Sequence, residues 1–67
     1  MVLKLHRHYE GCYRSDAING RFAQIKKDRS HWRAEIRNSN GDFIRPAGSW
    51  PTRRDAANEC EHILKSA

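Results

Sequence analysis

Six cations recur close together in the middle of this chain: Lys26, Lys27, Arg29, Arg33, Arg37 and Arg45, with Glu35 among them. The segment 21–54 holds nine Lys/Arg against three Asp/Glu, while the whole chain carries a formal net charge of +5. Positive charge gathered in this way suits a polyanion, and nucleic acid is the commonest one. Lysines and turn arginines on such a surface contact phosphate oxygens. Arg33 and Arg37 have the paired donors needed to reach guanine O6 and N7. Glu35 can accept from cytosine N4, or orient the two arginines that flank it. The competing reading is a solvated strand face whose Arg–Glu pairs each contribute at most about 1 kcal/mol.

Other chemistry finds little support. His6, His8, Cys12, Cys60 and His62 are zinc-ligand types, but their spacing matches no usual zinc knuckle. Cys60 falls on the apolar face of a helix and His62 does not, so no metal site is expected. There is no Gly-rich phosphate loop, no paired carboxylates in an apolar setting and no convincing nucleophile–base pair. The chain therefore reads as non-enzymatic and without a cofactor. Two cysteines far apart in sequence suit reduced thiols in a cytoplasmic protein. Met1–Leu5 is too short for a signal segment, and no apolar run approaches a membrane span.

The elements that must position these residues are few. Sixty-seven residues make one domain with a small core, one sheet face against one helix. Residues 1–20 read as an irregular extended arm with at most one edge strand; Leu3 and Leu5 would share a face, and Gly11 interrupts the pattern. Asn19-Gly20 is a turn dipeptide in which both residues tolerate positive φ. A strand is expected over Arg21–Lys27, with Ala23 and Ile25 on one side and Phe22, Gln24 and Lys26 on the other. His31–Arg37 alternates cleanly, placing Trp32, Ala34 and Ile36 on the apolar face and Arg33, Glu35 and Arg37 on the polar one. Asn40-Gly41 suits a type I′ hairpin leading to a third strand over Asp42–Arg45. Pro46 ends or bulges that strand and marks it as an edge. Thr52 and Asp55 form a capping pattern before an apolar helical stripe of Ala56, Cys60, Ile63 and Leu64. The expected architecture is α+β: a small three-stranded antiparallel sheet on one C-terminal helix, with residues 21–67 as a β-β-β-α unit.

The strand Trp32-Arg33-Ala34-Glu35-Ile36-Arg37 resembles the W-x-A-E-I-R strand of AP2/ERF-type DNA-binding domains. Gly48-Ser49-Trp50-Pro51-Thr52, followed by Asp55-Ala56-Ala57, is similar to the G-T-F-x-T-x-E-x-A-A start of that family's helix. The resemblance covers about half the chain and extends to the arm-binding domains of phage and transposon integrases. It implies a three-stranded sheet lying in the DNA major groove. Glu35 and Arg37 match strand residues that face DNA, Lys26 falls where the family has a first-strand arginine, and Trp32, Ala34 and Ile36 match its core face. The family's Tyr-Arg-Gly lead-in is absent, Pro46 stands in place of a base-contacting Trp, and the arm has no counterpart.

These readings converge on a small nucleic-acid-binding module, with duplex DNA favoured and Lys26, Lys27, Arg29, Arg33, Glu35, Arg37 and Arg45 as its contact residues. The alternative is a protein-binding regulator or inhibitor of the kind carried by phages and mobile elements. It would dock through its edge strand or through Leu3, Leu5, Tyr9 and Tyr13 of the arm. A monomer or a homodimer is compatible with either.

Overall fold

The computed structural model describes residues 3–66; Met1 and Val2 of the expected arm, and Ala67, lie outside the described residues. Five strands precede one helix: β1 (Leu5–Tyr9), β2 (Cys12–Ser15), β3 (Arg21–Asp28), β4 (His31–Asn38), β5 (Phe43–Trp50) and α1 (Arg53–Lys65). Every neighbouring pair is antiparallel, and the order across the sheet is the order along the chain.

The α+β class and the helix-backed sheet hold, but the three-stranded sheet does not. The expected irregular arm supplies β1 and β2, which extend the sheet beyond β3. The reason is visible in β1. It is an edge strand whose last four residues are exposed, so backbone pairing rather than an apolar alternation holds it. Gly11, expected as an interruption, is the second residue of the β1–β2 turn, with φ 78°.

The Asn19-Gly20 turn forms as its sequence suggests, with both residues at positive φ and Ile18 paired to Arg21. It also reaches the far end of the helix. Asn19 Nδ2 and Arg21 Nη2 donate to the Leu64 carbonyl at 3.0 and 3.1 Å, satisfying a group that the helix end leaves free. At the other end, Thr52 Oγ1 accepts from the Asp55 amide at 3.0 Å, in keeping with the capping pattern.

Two connections differ from expectation. Asn40 does not adopt positive φ, so the β4–β5 loop is not a type I′ turn. Instead Asn38 Oδ1 accepts from the amides of Asn40 and Asp42, and the chain turns over four residues. The third expected strand, Asp42–Arg45, is in fact β5, which continues through Pro46 to Trp50. Pro46 is tolerated because β5 is an edge and because Ala47 is the extra residue of a bulge between the pairs Glu35↔Pro46 and Ala34↔Gly48. Gly48 sits at φ 135° under the Trp50 indole, where a Cβ would stand 3.0 Å from the ring.

The core lies between the inner sheet face and α1. Ala23, Ile25, Ala34 and Ile36 meet Ala56, Ala57, Cys60 and Leu64, with Leu3 closing one side. Trp32 and Trp50 are register partners that pack against this cluster from its margin. Burial pushes the Cys60 thiol from 9.0 up to about 11, with Glu59 adding to the shift. A thiol that keeps its proton in the folded state but loses it on unfolding makes stability fall as pH rises from 9 toward 11. Denaturant melts of the wild type and Cys60→Ala across that range should show the wild type losing stability more steeply. Parallel pH profiles would contradict this.

Among the described residues no helix is long and apolar enough to cross a membrane.

Candidate nucleic-acid interface

Residues that pair across an antiparallel sheet share a face, so the register sorts the basic residues. Three rows cross the outer face, away from α1. One runs Cys12–Lys26–Arg33–Ser49, the next Arg14–Gln24–Glu35–Pro46, and the third Phe22–Arg37–Phe43. Lys26, Arg33, Glu35 and Arg37 therefore occupy one surface, in agreement with their alternation. Lys27 and Arg45 do not. Lys27 pairs with Trp32 and Arg45 with Ile36, which puts both on the helix side. The Lys27 ammonium lies 5.5 Å from the Trp32 ring centroid, and Arg53 from the helix stacks 4.3 Å over Tyr13. The positive charge of segment 21–54 is thus divided between two faces.

The middle row is a closed hydrogen-bond network. Arg14 Nε donates to Gln24 Oε1 at 2.9 Å, and Gln24 Nε2 donates to Glu35 Oε1 at 3.1 Å. Arg37 donates to the same oxygen through Nε and Nη2 at 2.9 and 2.6 Å, and through Nη1 to the Gly41 carbonyl at 2.7 Å. Gln24 is only 4% exposed, and no buried side-chain polar atom among the described residues lacks a partner. Glu35 thus orients Arg37 and not Arg33. Arg37 has all three guanidinium nitrogens engaged, so it is not free to reach a base edge. Sequence reasoning missed Arg14 and Gln24. The available signal was a glutamine at the centre of an otherwise apolar strand run.

The adjoining row is different. Lys26 and Arg33 stand directly opposite each other, an unfavourable placement for like charges. Arg33 is 71% exposed and has only a long 3.4 Å contact to Asp28. Beside them is a groove of about 550 Å³ bounded by Lys26, Arg33, Phe43 and Pro46, with the acidic Asp28 and Glu35 also on its lining. Arg29, at the β3–β4 turn, adopts φ 57°, the left-handed region that disfavours a residue with a Cβ. Arg29→Gly should therefore raise stability, by about 0.5–1 kcal/mol, while weakening polyanion binding. Paired thermal melts and binding titrations check the opposite signs.

The ligand types considered for zinc are dispersed. Cys12 and Cys60 are both buried and unpaired, Cys12 in the outer-face rows and Cys60 in the core beneath the helix. Among the described residues no group of three or more His, Cys, Asp or Glu could hold a metal ion. Comparison with known proteins finds no matching family model, curated protein or solved structure.

Proposed function

We propose that this domain is a non-enzymatic nucleic-acid-binding module that sets the outer face of its sheet against the phosphate backbone of a duplex. The observation that carries this reading is the Lys26–Arg33 cross-strand pair: two exposed cations facing each other beside an open groove. Asp28 offsets Arg33 only through an exposed 3.4 Å contact, and an anion placed between the two cations relieves their opposition further. Arg29 extends the same cationic edge from a backbone conformation that an unselected turn would fill with glycine or asparagine.

The five-stranded sheet changes the mode of contact implied by the three-stranded resemblance. Strands about 4.8 Å apart make this sheet about 20 Å across, wider than the roughly 12 Å major groove. Such a face bridges phosphates on both sides of a groove rather than filling it. Glu35 and Arg37 then serve to hold the surface rigid. Lys26, Arg29 and Arg33 make the contacts, and Arg33 is the side chain free to reach a base edge.

Titrating isotopically labelled protein with a short mixed-sequence duplex and following backbone amide shifts tests the assignment. Shifts should cluster on β3 and β4 around Lys26, Arg29 and Arg33. Shifts confined to α1 and the Arg53–Tyr13 contact would place binding on the helix side and overturn it.

A further inference from the structure

We infer that two copies of this chain associate through their β5 edges about a two-fold axis between Phe43 and Ile44. The two sheet edges differ in kind. β1 is short, bulged and carries His6, Arg7 and His8, which discourage strand addition. β5, whose other side is unpaired, carries the adjacent residues Phe43 and Ile44, 54% and 45% exposed. Phe43 pairs with Arg37 and Arg45 with Ile36, so Ile44 is the extra residue of a bulge and has no partner on β4.

The flanking charges identify the occupant. Asp42 and Arg45 bracket the two apolar residues, and neither belongs to any of the four ion pairs among the described residues. The run Asp42-Phe43-Ile44-Arg45 is complementary to itself when reversed. Antiparallel approach of two copies sets Asp42 opposite the partner's Arg45, and Phe43 opposite the partner's Ile44. Each contact occurs twice, as an isologous interface requires. Pro46, which lacks an N–H, and the bulge at Ala47 limit the contact at one end, and Asp42, whose amide and carbonyl are both bonded to Asn38, joins it through its side chain alone. The contact is therefore small, and the dimer forms at micromolar to millimolar concentration. Arg45, outside the outer-face rows, gains a role in this arrangement. The pairing stands independently of nucleic-acid binding. If both hold, the dimer presents two Lys26–Arg33 rows related by a two-fold axis.

Sedimentation equilibrium from about 10 μM to about 1 mM, the range suited to a small interface, tests the pairing. The wild-type mass should rise from 7.8 kDa toward twice that value. Asp42→Arg or Arg45→Asp turns two attractive contacts into repulsive ones and should weaken association about tenfold. The double variant Asp42→Arg/Arg45→Asp restores complementarity and should regain wild-type association. These exposed positions lie outside the core, and circular dichroism verifies that each variant is folded. A wild type that stays monomeric throughout, or a dimer whose double variant is no tighter than either single one, overturns the proposal.

Discussion

Replacing Ile36 by alanine will remove most of this domain's stability. Ile36 is fully buried at the centre of β4, between the sheet and α1, and is among the largest side chains so enclosed. Truncating a buried isoleucine to alanine costs about 2–5 kcal/mol, combining lost transfer energy with the cavity left behind. A domain of this size holds about 3–10 kcal/mol in total. The helix residues buried against the sheet are Ala56, Ala57, Cys60 and Leu64, three of them small residues that bring the helix close and have little side chain to swing into the gap. The melting temperature should fall by about 10–20 °C or more. Urea melts followed by the fluorescence of Trp32 and Trp50 give the free energy directly. Ile44→Ala, on the exposed edge, should change it by about 0.5 kcal/mol or less. An Ile36→Ala protein as stable as the wild type would mean that the sheet does not close over the helix at this point.

Removing the facing cations, Lys26→Ala with Arg33→Ala, will lower affinity for a duplex by about a hundredfold while leaving the fold intact. Each side chain projects from the outer face, and neither contributes to the core cluster. A charge-assisted hydrogen bond to phosphate contributes about 1.5 kcal/mol, so losing two costs about 3 kcal/mol, or two factors of ten. Stability should hold or rise slightly, because the like-charge opposition between the strands disappears. Arg14→Ala differs in kind. It removes the partner of Gln24 Oε1 within the closed network, so its effect falls first on stability. Fluorescence anisotropy of a labelled duplex with each variant measures the difference. Unchanged affinity in the double variant would take binding away from this row.

Legibility in the sequence follows the strength of burial. β3, β4 and α1 each bury one side against the core, so their alternation, helical stripe and Thr52 cap are readable from residue order alone. β1 is not, because His6–Tyr9 are exposed and nothing in their side chains marks a paired backbone. β2 is hidden by its brevity, four residues in which Cys12 and Ser15 are buried for different reasons. Ser15 Oγ accepts from the Ala23 amide, whereas Cys12 lies outside the main cluster. Pro46 does mark a bulged edge strand, but β5 resumes beyond it because the bulge at Ala47 absorbs the fault. At the candidate site, alternation is enough to place Lys26, Arg33, Glu35 and Arg37 on one face. It cannot separate the loosely held Arg33 from the fully engaged Arg37, since that depends on Glu35 Oε1 and the Gly41 carbonyl both turning to Arg37. Charge alone groups Lys27 and Arg45 with the others, and register divides them.

The most direct measurement of the central claim is the salt dependence of duplex affinity for the wild type beside the Lys26→Ala/Arg33→Ala variant. Binding to phosphate releases counterions, so the logarithm of affinity falls linearly with the logarithm of salt, by about 0.9 per contact. If Lys26 and Arg33 each hold a phosphate, the variant's slope will be shallower by about two. Equal slopes for the two proteins, or wild-type binding that does not weaken with salt, would contradict a phosphate-binding outer face.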